Sequence, residues 1–209
     1  LEVVHFRDFG ARTIRATRLH PAVFLNLAVQ LALFRLRGRA GLILDMVPTT
    51  TYARGQYDWA RTVTTESMKL VKAMGAKGTG KGTRAGVRKA CESVMNRQRE
   101  VVLGQAVELH LHALLQAEQA LGPRSDGSMG QLFAPEFTPP AGANCWLVPV
   151  QQNRRSTHSK LSLGGSLGVE QEGGFSVGIA AVGDDDLFWH VRGWRKREDS
   201  VNSARLGEE

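Results

Sequence analysis

The sequence predicts a protein of mixed helices and strands packed around one greasy helix. Three observations carry this. From Val23 to Leu36 apolar residues fall on nearly every face, which describes a buried helix, not a surface one. Leu42–Met46, Leu147–Gln151, Phe175–Val182 and Leu187–Val191 are short apolar runs of strand length. Between the first two of these runs lie long segments, 65–74 and 84–121, patterned as helices. A chain of 209 residues can bury one proper core, so residues 1–209 are expected to form one domain.

Composition narrows the classes. Hydrophobic residues make up 42% and charged residues 22%, ordinary for a globular protein. Arg35, Arg37 and Arg39 close the longest apolar run before it reaches membrane-spanning length. Leu1 to Phe6 lacks the order of a signal peptide, and the chain is expected to be an excised piece. Cys91 and Cys145 are the two cysteines, with free thiols in a reducing compartment the default. The net charge of +7 favours anionic partners in general. Nucleic acid is not expected: there is no zinc-finger spacing, basic heptad region, or basic stretch interleaved with aromatics.

In order, Leu1–Phe6 and Thr13–Leu19 read as strands, with a turn around Gly10. Arg12, Arg15 and Arg18 place three cations within seven residues. They make either a solvated face or a phosphate grip, since guanidinium groups hold phosphate bidentately. Pro21 suits the first turn of the greasy helix and Gly38 its end. His20 stands at the cap position, where imidazole serves less well than a hydroxyl, at a cost of about 1 kcal/mol. Glu66 lies in the first turn of helix 65–74, where a carboxylate belongs.

Residues 75–83 form a basic, glycine-rich loop that nearly fits G-x-x-x-x-G-K-[ST]. Gly82 replaces the hydroxyl that would hold magnesium, and a helix precedes where a strand is needed, so this is a connection and not a P-loop. Helix 84–121 should break near Gly104 and end at Gly122-Pro123. His110 and His112 are two apart and make a poor metal pair; no metal is expected. Gly164-Gly165 and Gly173-Gly174 bracket a hairpin-like region, and Asp199 or Ser200 can cap a last helix.

Several stretches resemble the choline/carnitine O-acyltransferase family. His20-Pro-Ala-Val-Phe through Arg35 parallels the family's Ser-Pro-Asp-Ala-Phe helix, and Leu42 to Asp45 its Thr-Tyr-Glu strand. Thr49 to Thr51 lies at its Ser-Thr-Arg element, and Gly55-Gln-Tyr-Asp58 with Arg61 at its Gly-Arg-Thr-Glu-x-x-Arg. Gly104 to Leu114 is similar to Gly-Gln-Gly-Ile-Asp-Arg-His-Leu, and Lys160 to Gly178 looks like the Leu-Ser-Thr-Ser region onward. The likeness covers most of this chain but only the C-terminal half of a family member.

The resemblance implies an α/β fold, a mixed β-sheet flanked by helices, with a tunnel at the junction with the N-terminal half. It implies acyl transfer between a coenzyme A thioester and a small alcohol such as carnitine or choline. Arg12, Arg15 and Arg18 would hold the phosphorylated end of acyl-CoA. Ser162 survives from the Ser-Thr-Ser element as a catalytic candidate, and Tyr57, Asp58 and Arg61 mark the substrate side. Carnitine itself is disfavoured, because Leu44, Tyr57 and Leu109 stand where the family grips its carboxylate. The family's base is a His in a His-x-x-x-Asp-Gly context that none of the six histidines occupies. It must come from the missing N-terminal half or from a separate partner chain, and this fragment alone should be inactive. The other expectation is a silent descendant serving as a binding or structural module. Family analogy places the protein in mitochondria or peroxisomes.

Overall fold

The computed structural model describes residues 1–39, 41–55, 57–75, 84–121, 144–153, 174–182 and 184–193. The greasy helix is α2 (Pro21–Arg37). Pro21 opens it, and Gly38 closes it in the left-handed region (φ 68°), where its N–H bonds the Phe34 carbonyl at 2.7 Å. His20, expected to be a poorer cap than a hydroxyl residue, makes no side-chain capping bond. Leu25, Val29 and Leu33 press on the sheet through Ile43, Phe175, Val177 and Ile179. Val23 and Leu27 turn instead to Leu70, Ala90, Cys91 and Val94. With two buried sides there is no polar face, which accounts for the unbroken apolar pattern.

Six strands form one mixed sheet in the order β1-β6-β5-β4-β2-β3. They are β1 (Glu2–Phe6), β2 (Leu42–Pro48), β3 (Tyr57–Arg61), β4 (Asn144–Asn153), β5 (Phe175–Val182) and β6 (Asp186–Gly193). The central pairs β2–β4 and β4–β5 are parallel. The outer pairs β1–β6, β5–β6 and β2–β3 are antiparallel. Strand β5 is buried on both faces from Phe175 to Ala181, as a continuous apolar run in the middle of a sheet should be. The expected α/β class with a mixed sheet and packed helices is what the chain adopts.

Helices α3 (Thr65–Gly75) and α4 (Arg84–Val102) pack beside α2. Cys91 of α4 is a buried free thiol, pushed up to about 11 by burial and then by Glu92. The expected break at Gly104 is present, with φ +74°, before α5 (Glu108–Leu121). A Cβ there would meet the Tyr52 hydroxyl at 2.7 Å, so turn and neighbour both select glycine.

One element corrects the sequence reading. Thr13–Leu19 is not a strand: Ala11–Ala16 is a short helix, α1. Thr13, Ile14 and Thr17 have strand preferences, but Ala11 and Ile14, three apart, both bury in the main core. A Cβ on Gly10 would stand 2.2 Å from the Asp184 carbonyl oxygen. That close approach lets Asp184 accept the Arg12 backbone N–H at 3.0 Å, and tertiary contact outweighs local preference. Strand β3 was not foreseen as an element at all. Most of loop 75–83, the region 164–173 and the last helix fall outside the described residues.

Candidate functional site

Strand β3 sorts the substrate-side candidates by alternation. Leu44, Met46 and Pro48 pair with Arg61, Trp59 and Tyr57, and directly paired residues share a face. Tyr57, Trp59 and Arg61 therefore line one side of the sheet edge, with Leu44 among them. Tyr57 and Trp59 meet edge-to-face, 5.5 Å between centroids. Asp58 lies on the opposite side, where its Oδ1 accepts the Trp59 backbone N–H at 2.7 Å. Tyr57 and Arg61 are thus brought together, and Asp58 is not.

Arg61 Nε donates to Glu108 Oε1 at 2.5 Å. Glu108 is in the first turn of α5, where the helix dipole favours a carboxylate. Its neighbour Leu109 is exposed at 38%, while Leu44 on β2 is buried. These aliphatic side chains add no cation or hydroxyl to this face. The face therefore offers two aromatic rings and one guanidinium already matched by a carboxylate.

Beneath it, on the helix side of β2, lies a polar cluster that the sequence reading missed. Asp45, Asn26, Gln30 and Thr62 are all buried. Gln98 donates to Asp45 Oδ2 at 2.6 Å and Asn26 to the same oxygen at 3.4 Å. Gln30 Nε2 reaches both Asn26 Oδ1 and the Thr62 carbonyl at 2.9 Å. Burial pushes the Asp45 carboxyl up to about 6, although Gln98, Asn26 and the Met46 backbone pull the other way. Two signals in the sequence could have exposed the cluster: amides four apart on an apolar helix, and a carboxylate inside an apolar strand.

At the other end, α1 and the β5–β6 turn form a charged contact. Arg15 Nη1 lies 3.2 Å from Asp184 Oδ1, and Arg12 Nη2 lies 3.4 Å from Asp184 Oδ2 and 3.6 Å from Asp185 Oδ2. All four side chains are well exposed, so each pair is worth about 0–1 kcal/mol. Arg18 follows the helix with φ 62° and lines a separate groove toward α4. The three arginines do not converge on one point. Ser162 lies outside the described residues. Among the described residues no group of three or more His, Cys, Asp or Glu side chains could hold a metal ion. No described helix is long and apolar enough to cross a membrane.

A mixed sheet backed by an all-round apolar helix, with an aromatic face at one edge, defines an α/β domain. The Choline/Carnitine o-acyltransferase family model matches residues 1–207, and the chain belongs to that family. It is 27% identical to the human carnitine O-palmitoyltransferase 1, muscle isoform, over 97% of this chain and 26% of that protein. It is 34% identical to the bovine peroxisomal carnitine O-octanoyltransferase over 35% of this chain and 12% of the relative. It is also 28% identical to the highly reducing polyketide synthase 17 of Metarhizium anisopliae, over 58% of this chain and 4% of the relative. The chain thus spans about a quarter of the length of the palmitoyltransferase it matches.

Proposed function

We propose that this chain supplies the acceptor-alcohol face and part of the coenzyme A grip of an acyl-CoA-dependent O-acyltransferase. The family match over residues 1–207 carries this reading. In it, Arg12 and Arg15 meet the phosphorylated end of the carrier, while Arg18 faces the separate groove toward α4. Tyr57 and Trp59 face the alcohol, and the Arg61–Glu108 pair braces strand against helix. Asp58, on the far side of β3, supports the strand and does not touch substrate. Ser162 is retained as the hydroxyl assisting the oxyanion. The proton acceptor belongs to a part of the protein outside this chain, as the absence of His-x-x-x-Asp-Gly from the sequence suggests.

The acceptor is a small alcohol without a carboxylate. Leu44 and Leu109 leave carnitine's carboxylate unmatched, a loss of several kcal/mol when the charge is desolvated. The paired rings of Tyr57 and Trp59 suit a quaternary ammonium through cation–π attraction. A relative named as a polyketide synthase is in keeping with acceptors other than carnitine. Mitochondria or peroxisomes are the proposed compartments, since one relative is named peroxisomal.

A second reading, a silent descendant, is favoured by one observation: Asp184 and Asp185 already occupy Arg12 and Arg15. Thiol release from acyl-CoA by the full-length protein, with choline, carnitine and a neutral alcohol in turn, separates the two. Alcohol-dependent release, weakest with carnitine, is expected. No release with any acceptor would leave the silent reading standing.

A further inference from the structure

The groove toward α4 is unlike the rest of the surface. It encloses about 280 Å³ between the start of α2 and the middle of α4, with Arg18, His20, Val23, Arg88, Cys91 and Glu92 in its lining. Neither Arg18 nor Arg88 has an ion-pair partner among the described residues. Two guanidinium groups face one carboxylate in this lining, an excess of one positive charge among the arginine and glutamate side chains. The inner wall is apolar: Val23 and Cys91 belong to the buried cluster shared by α2, α3 and α4. Arg18 takes a left-handed backbone conformation, a local strain that a side-chain requirement could repay.

We propose that this groove is a binding site for a monoanionic amphiphile, a carboxylate on a short aliphatic body. Arg18 and Arg88 receive the head, since guanidinium donors match a carboxylate. Leu19, Val23, Cys91 and Met95 cover the tail. A single surplus charge favours a carboxylate over a dianionic phosphate. Size agrees: an engineered apolar cavity of about 150 Å³ takes up benzene, so this volume suits about a dozen non-hydrogen atoms. The site is distinct from the Arg12–Arg15 contact and does not depend on the acyltransferase reading.

The test uses octanoate as probe, titrated calorimetrically into the wild-type protein and three variants. Octanoate should bind at one site. Arg88→Gln should weaken it about tenfold or more, as loss of a charged hydrogen-bond partner does. Met95→Trp, which fills the groove from an exposed position, should abolish it. Arg12→Gln with Arg15→Gln should leave it unchanged, whether or not that pair serves coenzyme A. The proposal is overturned by absence of heat at millimolar octanoate, by indifference to both groove variants, or by equal affinity for octanol. Displacement of octanoate by coenzyme A would overturn it differently, assigning the groove to the carrier.

Discussion

Asp45→Asn probes the buried polar cluster under β2. The Asp45 carboxyl titrates at about 6 in the fold against an ordinary 3.8. Below pH 3.8 it is protonated in folded and unfolded chains alike, so it adds no pH dependence. Between there and pH 6 the unfolded chain releases its proton while the folded chain keeps it, and stability falls as pH rises. Above pH 6 both are ionised, and the buried charge costs about 3 kcal/mol, from roughly two pH units at 1.36 kcal/mol each. The substituted amide cannot titrate. Its oxygen can still accept from Gln98 and Asn26, while its NH2 group forfeits the bond from the Met46 N–H, a cost of about 1 kcal/mol at every pH.

The variant should therefore be slightly less stable than wild type near pH 4 and about 2 kcal/mol more stable near pH 7. Urea denaturation at both pH values, followed by tryptophan fluorescence with unchanged m-values, measures the difference. Other titrating groups cancel between the two proteins. A wild-type-to-variant gap that is the same at both pH values would refute the buried, proton-holding carboxyl.

Three further outcomes follow from other contacts. Arg12→Gln with Arg15→Gln should weaken coenzyme A binding by about tenfold or more, whereas Asp184→Asn, which frees Arg15 and leaves Arg12 only Asp185, removes exposed pairing worth at most about 1 kcal/mol and should tighten it up to about fivefold; calorimetry with coenzyme A reads both. Leu109→Arg, at an exposed position beside Glu108, should raise the full-length enzyme's preference for carnitine over choline by about tenfold in kcat/KM, with no loss of thermal stability. Gly104→Ala should cost about 1–2 kcal/mol in thermal unfolding, from its left-handed backbone and the Tyr52 hydroxyl in the way of a Cβ.

Much of the fold was legible because hydrophobic pattern and stop signals agreed. Pro21 and Gly38 bound an apolar run, and Phe175–Val182 coincides with a strand buried on both faces. Helix 84–121 broke where Gly104 required it. Where local preference and distant contact disagreed, the sequence misled. Thr13, Ile14 and Thr17 favour a strand, yet the fit of Gly10 against Asp184, at the far end of the chain, makes the segment helical. The substrate side was legible as a set of positions but not as a face. Only the β2–β3 register separates Asp58 from Tyr57 and Arg61. Asp184 escaped notice because ion pairs across such a separation leave no spacing to read.

The buried amides explain how the two ends of the chain's surface keep a fixed relation. Helix α2 begins shortly after Ala16 of α1, whose Arg12 and Arg15 face the β5–β6 turn. Further along it, Asn26 and Gln30 hold Asp45 of β2 and the Thr62 carbonyl just beyond β3. Apolar packing alone tolerates small rotations of a helix greasy on all sides, since one aliphatic contact substitutes for another. A directional bond from Gln30 to Thr62 does not, because any rotation strands a buried donor at a cost of about 1–3 kcal/mol. Gln98 repeats the constraint from α4. The polar cluster thus sets the angle of α2, and through it the position of the arginines relative to the aromatic edge of β3.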